Sequence, residues 1–282
     1  MPSILLATHG GPSADGAAHV AKQLAERVGA KLRALCIMEP LPVIDGGFGT
    51  VYAPSEEEES AARSALSASA AAQLQRCGSF VAPQVLLGLP AADIASAART
   101  EGATVIVVGL GPHQFLDRAL GHETALHLVQ HASTPVLAVP ATMRTLPRRV
   151  VAAIDFSPTS INCARLCASW LVKGDLLHLV HVVRPWSGTS SDAPRKQADE
   201  ALAAVASGIG AARGVTVERS IVEGEPAQEL LRAATSVKAE LIALGSHGYG
   251  LWKRLTIGSV ASKVVRLSPV AVLVMPMGSV TS

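Results

Sequence analysis

The chain alternates between short apolar runs and longer stretches with helical spacing. Ile4-Leu5-Leu6-Ala7-Thr8-His9 and Val150-Val151-Ala152-Ala153-Ile154-Asp155 are nearly continuous apolar runs. Runs of that length without polar alternation are the pattern of strands covered on both faces. Each is followed by a proline–serine turn and a helical stretch, Ala14 to Val28 in one case and Thr159 to Val172 in the other. Strands are then predicted at Leu32 to Met38 and Leu176 to Val183, and helices at Glu56 to Gln75 and Arg195 to Ala212. A further strand then runs into Gly88-Leu89-Pro90-Ala91 in one half and into Gly224-Glu225-Pro226-Ala227 in the other, ahead of short helices, Ala92 to Thr100 and Ala227 to Val237. A glycine followed closely by proline is expected punctuation at a helix start. Thr104 to Val108 and Glu240 to Leu244 read as further strands, and Pro135 to Val139 and Pro269 to Val274 as the last strand of each series.

The order of signals is therefore the same twice over. Strands alternating with helices predict a parallel α/β sheet in each half, with helices on both faces. The fold class expected is two tandem, doubly wound, five-stranded parallel sheets. The halves are placed at residues 1–141 and 148–282, with the linker between Ala141 and Arg149, where Pro147 and two arginines break the apolar pattern.

Composition narrows this picture. Hydrophobic residues make up 49% of the 282 residues but aromatic ones only 3%, so the cores must be built from Ala, Val, Leu and Ile. The net charge of +2 and the scatter of the basic residues argue against nucleic acid as a partner. No apolar stretch approaches the length needed to span a bilayer, and Met1 to Ala7 lacks a basic leader, so a cytoplasmic protein without membrane contact is expected. Cys36, Cys77, Cys163 and Cys167 show no disulfide spacing; Cys163 and Cys167 stand one helical turn apart and are read as small buried hydrophobes. The stretch Pro40 to Ser55 is long for a connection and is expected to be mobile or to cover a site.

The chemistry concentrates in Gly245-Ser246-His247-Gly248 and, nine residues on, Gly258-Ser259. The segment follows an apolar strand and precedes the helical stretch that opens at Val260. Glycines let backbone approach an anion closely, and the free N–H groups of a helix start point at it. The helix dipole adds roughly half a positive charge there. Ser259 is also a candidate N-cap. Lys253, Arg254 and His247 lie within the loop as candidate phosphate or nucleotide contacts, or as solvated residues.

Gly-x2-Gly-x9-Gly-Ser after a strand, together with Asp155, His181-Val182-Val183 and Ser268-Pro269-Val270, resembles the nucleotide motif of the universal stress protein family. The resemblance covers essentially the whole chain as two copies, and it implies that they pair through their final strands, Val136 to Val139 against Val270 to Val274, as the aggregation hazard of an exposed apolar edge also makes physically expected. It implies ATP, possibly with Mg, bound beyond the carboxyl ends of the strands. Asp155 would lie near the adenosine and Val182 would pack on adenine. Gly245, Gly248 and Gly258 would fold the loop over the ribose and phosphates, with Ser259 and the N–H of Val260 on the phosphates.

The first copy departs from the motif. His9 replaces Asp155, Pro112 stands in place of Gly248, and Gly121-His122 replaces Gly258-Ser259. Proline removes an N–H and fixes φ, so this half is expected to bind ATP poorly or not at all. His9, His113 and His122 form a candidate metal set, weighed against ordinary surface or capping histidines; His127 and His131 form a second pair. The function expected is an ATP-binding regulatory protein of the stress response, working as a homodimer of tandem chains with an unidentified protein partner. The alternatives are a slow ATP hydrolase or nucleotidyl-transfer enzyme, and a scaffold without ligand. No P-loop and no carboxylate after the glycine loop speaks for fast phosphoryl transfer.

Overall fold

The computed structural model describes residues 2–40, 44–45, 51–52, 54–110, 122–183, 193–210, 214–246 and 258–279. The first half runs β1 (Ser3–Ala7), α1 (Asp15–Val28), β2 (Lys31–Met38), β3 (Ile44–Asp45), β4 (Val51–Tyr52), α2 (Glu56–Arg76), β5 (Gln84–Leu87), α3 (Pro90–Thr100), β6 (Ala103–Leu110), α4 (His122–His131) and β7 (Val136–Pro140). The second runs β8 (Arg149–Ala153), α5 (Pro158–Trp170), β9 (Leu176–Val183), α6 (Ala193–Gly210), β10 (Thr216–Glu223), α7 (Pro226–Ser236), β11 (Leu241–Gly245), α8 (Ser259–Leu267) and β12 (Ala271–Met275). A single 3-10 turn, Pro12–Ala14, precedes α1.

The ten long strands form one sheet in the order β10-β9-β8-β11-β12-β7-β6-β1-β2-β5. Pairing is parallel within each half and antiparallel at the junction, where Val272, Leu273 and Val274 face Ala138, Leu137 and Val136. The expected pairing of the last strands is thus present. β1 and β8 are central in their halves, which is why their apolar runs are buried on both faces.

Two apolar cores cover the two faces. One contains Leu6, Leu24, Leu137, Cys163, Leu179 and Leu273; the other contains Leu5, Ala98, Val129, Val180, Leu230 and Val264. Both cross the junction, with α1 against α5 on one face and α4 against α8 on the other. Polar contacts lock the same seam. Arg27 donates to the Trp170 carbonyl (2.9 Å), and Gln23 donates to the Arg144 carbonyl (2.7 Å) while accepting from the Leu146 N–H (3.3 Å). α1 reaches this position because Gly16 has no side chain: a Cβ there would lie 1.9 Å from the Pro140 carbonyl oxygen.

Element ends differ from expectation for local reasons. α3 and α7 begin at Pro90 and Pro226, since proline needs no N–H partner in a first turn. α5 stops at Trp170 and not Val172, because the Val172 N–H is taken by the Asp175 carboxylate (3.0 Å). α2, by contrast, starts at Glu56 as expected, on a reciprocal cap, with Ser55 Oγ accepting from the Glu58 N–H (3.2 Å) and Glu58 accepting from the Ser55 N–H (2.8 Å). Within the Pro40 to Ser55 stretch, β3 and β4 pair antiparallel; the other residues of 41–53 lie outside the described ones.

The C-terminal ends of α3 and α7 occupy the same conformation with different residues. Gly102 has φ +60 and Lys238 has φ +52. A side chain in that left-handed conformation costs about 1–2 kcal/mol. Lys238→Gly is expected to raise stability by about 0.5–1 kcal/mol after the larger unfolded-state entropy of glycine is included, measured as a higher urea midpoint. Gly16→Ala is expected to lower stability by about 3 kcal/mol through overpacking against Pro140, read in the same assay.

Candidate functional site

In an open parallel sheet, ligands bind beyond the carboxyl ends of the strands where the order reverses. In the second half that point lies between β8 and β11. The chain leaving β8 passes Ile154, which is buried, and enters Asp155-Phe156-Ser157. Asp155 Oδ1 accepts from both the Ser157 N–H (3.0 Å) and the Ser157 hydroxyl (2.6 Å). The Asp155 N–H donates to Ser160 Oγ (3.3 Å), and Ser157 is the N-cap of α5, accepting from the Ser160 N–H. This knot fixes the Asp155 carboxylate just beyond the carboxyl end of β8.

Between the two polar residues sits Phe156, with φ 63. A left-handed phenylalanine costs about 1–3 kcal/mol and persists only where its surroundings over-determine it. Its ring packs on His181 of β9, with centroids 4.6 Å apart and planes tilted by 44°. His181 Nδ1 lies 2.7 Å from the Ile154 carbonyl. A carbonyl only accepts, so Nδ1 carries the proton. Val182 lies one residue on, partly buried against the opposite core.

β11 ends at Gly245, followed by Ser246, which is buried. The Ser246 N–H donates to the Met275 carbonyl and its own carbonyl accepts from the Gly258 N–H, both at 2.8 Å. The two ends of the glycine loop are therefore tied together at its base. His247, Gly248, Lys253 and Arg254 lie outside the described residues. α8 begins beside this tie. Its N-cap is Gly258, in extended conformation and with no side-chain cap. This corrects the expectation that Ser259 caps the helix: Ser259 is the first helical residue and its side chain is exposed. Ser262 N–H already bonds the Gly258 carbonyl; the N–H groups of Ser259 and Val260 belong to the uncapped first turn. Lys263, one turn further, pairs with Glu225 (3.2 Å). Glu225 is the N-cap of α7, and the Gln228 N–H, followed by Lys263, holds its carboxyl below the usual range.

The corresponding crevice of the first half is built differently. Gly10 takes the place of Phe156, with φ +77, and a Cβ on it would lie 2.6 Å from the backbone nitrogen of Ala70 on α2. The buried side chain of Gln73 ties α2 to this loop. It accepts from Thr8 Oγ1 (2.6 Å) and donates to the Gly11 carbonyl and to Asp15 Oδ1 (both 3.0 Å). Sequence reasoning missed Gln73, since a single glutamine in an Ala- and Ser-rich helix carries no pattern. His9 Nε2 lies 3.1 Å from Ser13 Oγ, and packing beneath the ring lowers its pKa through desolvation although much of its surface meets solvent. His122 opens α4, while His113 lies outside the described residues. The His131 ring turns back to the His127 carbonyl (2.7 Å). Among the described residues no group of three or more His, Cys, Asp or Glu could hold a metal ion.

The cysteines serve packing. Cys163 and Cys167 are buried side by side on α5, and Cys163 donates to the Leu244 carbonyl (3.5 Å). Burial pushes the Cys36 thiol up to about 11 and also raises Cys167.

Taken as a class, this is a tandem of two parallel α/β units, each with one reversal of strand order. The model of the universal stress protein family matches residues 1–140 and again residues 147–276, and the chain belongs to that family. A universal stress protein of Bacillus subtilis is 41% identical over 64 residues, covering 23% of this chain and 43% of the relative. One from Mycobacterium bovis is 27% identical over 190 residues, covering 62% of this chain and 64% of the relative. The chain thus spans less than two thirds of the length of either relative. The crystal structure of a universal stress protein from Archaeoglobus fulgidus superposes with a TM-score of 0.72 at 23% identity, covering 98% of both chains; this likeness is one of fold. Among the described residues no helix is long and apolar enough to cross a membrane.

Of the four free cysteines only Cys77 is not buried. Titration of the folded protein with a thiol-reactive disulfide reagent is expected to modify Cys77 alone, with the other three reacting only after unfolding.

Proposed function

We propose that the second half binds an adenine nucleotide, ATP in the first place, and that the chain is a nucleotide-responsive regulator of the stress response. The observation that carries this reading is the first turn of α8. It is capped by Gly258 with no side chain, stands at the base of a glycine loop closed by the Ser246–Gly258 bond, and adjoins the strand-order reversal. A helix start with free N–H groups favours an anion there through both hydrogen bonding and the dipole.

In this reading Gly245, Gly248 and Gly258 let the loop close over the ribose and phosphates. The Ser259 hydroxyl and the N–H of Val260 meet the phosphates, and His247 borders the nucleotide. Asp155, held by Ser157, faces the adenosine, and Val182 packs on the base. Magnesium would accompany the triphosphate as its counter-ion. The first half, with His9 at the place of Asp155 and Pro112 at the place of Gly248, takes no nucleotide. Two tandem chains associate into a dimer, and a change in nucleotide state is passed to a protein partner. Slow hydrolysis of the bound ATP is the alternative; in this reading Asp155 is committed to the adenosine end, and no carboxylate follows the glycine loop to hold magnesium or activate water.

Isothermal titration with Mg-ATP tests the proposal. One site per chain is expected, and Gly248→Pro is expected to weaken it at least tenfold, about 1.4 kcal/mol, with unchanged circular dichroism. No heat and no thermal stabilisation of the wild-type protein would sink it.

A further inference from the structure

The two halves use the same backbone conformation after their first strand, but only one of them uses glycine there. Gly10 has φ +77 and Phe156 has φ 63. In the first half a side chain is impossible, because Ala70 lies against the loop. In the second half a bulky side chain is kept where glycine would be relaxed. Strain of this kind, held in place at a crevice, points to a use for the residue that imposes it.

The surroundings indicate the use. Phe156 lies between Asp155 and Ser157, and the direction of the carboxylate is set by the Ser157 N–H and hydroxyl, both of which donate to Asp155 Oδ1, while the Asp155 N–H is held by Ser160 Oγ. The ring is pinned by His181, and His181 is pinned by the Ile154 carbonyl, one residue before Asp155. The clamp therefore starts and ends on the same loop. Any rotation about the 155–156 peptide that relaxed Phe156 would pull its ring off His181 and swing Asp155 away from the rim.

We propose that Phe156 is a positioning residue for ligand binding: clamped on His181, it fixes Asp155 for the nucleoside part of an adenine nucleotide and has no part in holding the phosphates. This rests on the reading of the second half as a nucleotide site. Pre-ordering a polar group raises affinity by removing the cost of ordering it on binding.

The experiment is calorimetric titration of Phe156→Gly, Phe156→Leu and Phe156→Tyr, each with ATP, adenosine and inorganic tripolyphosphate, alongside circular dichroism. Tyrosine retains the ring, leucine retains apolar bulk only, and glycine removes both ring and strain. Affinity for ATP and for adenosine is expected to fall about tenfold in the glycine and leucine variants and to be retained by tyrosine. Tripolyphosphate binding is expected to stay within twofold of wild type throughout. If one variant fails to fold, the other decides. Adenosine affinity unchanged in a folded glycine or leucine variant would overturn the proposal, as would equal losses for adenosine and tripolyphosphate. A wild-type protein silent to every adenine ligand would overturn the nucleotide site itself, an outcome distinct from indifference of the variants.

Discussion

The structure depends on the antiparallel pairing of β7 with β12. Each half is a five-stranded parallel sheet whose last strand is entirely apolar and would otherwise end in a row of unpaired N–H and C=O groups. Such an edge is an aggregation hazard, and a buried unpaired backbone group costs about 1–3 kcal/mol. Joining the two edges satisfies both halves at once. It lets two apolar cores run uninterrupted beneath ten strands, and it brings α1 onto α5 and α4 onto α8. Gly16 and the Gln23 and Arg27 contacts follow from that closeness.

The seam also sets the polarity of the molecule. Strands run one way in the first half and the opposite way in the second, so the carboxyl ends of the two half-sheets lie at opposite rims. The crevice beside β1 and the crevice beside β8 therefore do not share a wall. The halves have diverged accordingly. At the two left-handed positions after the first strand and after the third helix, the first half has Gly10 and Gly102, whereas the second has Phe156 and Lys238. The first half is relaxed, with α2 sealed over its loop through Gln73; the second holds strain beside an uncapped helix start.

The strands were legible because burial on both faces leaves an unbroken apolar run, and Leu176–Val183 matches its predicted span. The pairing of the last strands was legible through the family resemblance, with the need of an apolar edge for a partner as its physical support. Helix ends were less so, because they hinge on single side chains such as Asp175 taking the Val172 N–H. At the candidate site, the glycine spacing stands in the sequence itself, and Asp155 was singled out by the family resemblance. The left-handed backbone of Phe156 could not, because phenylalanine does not announce such a conformation; only the equivalence with Gly10 hints at it. The Gly258 cap was misassigned to Ser259, since a serine next to a glycine is the more usual capping choice. His178, which bridges Glu218 and Ser220 across neighbouring strands, was invisible for want of a local pattern.

The outer boundaries of the sheet carry a consequence of their own. β5 is only four residues long, and β10 exposes Glu218, Arg219 and Glu223, with Arg219 paired to Asp199 of α6. Short and charged margins are poor templates for an incoming strand. Once the apolar margins are consumed inside the molecule, strand-by-strand polymerisation has no place to begin. Extension of the sheet by further copies is thereby disfavoured at both outer margins.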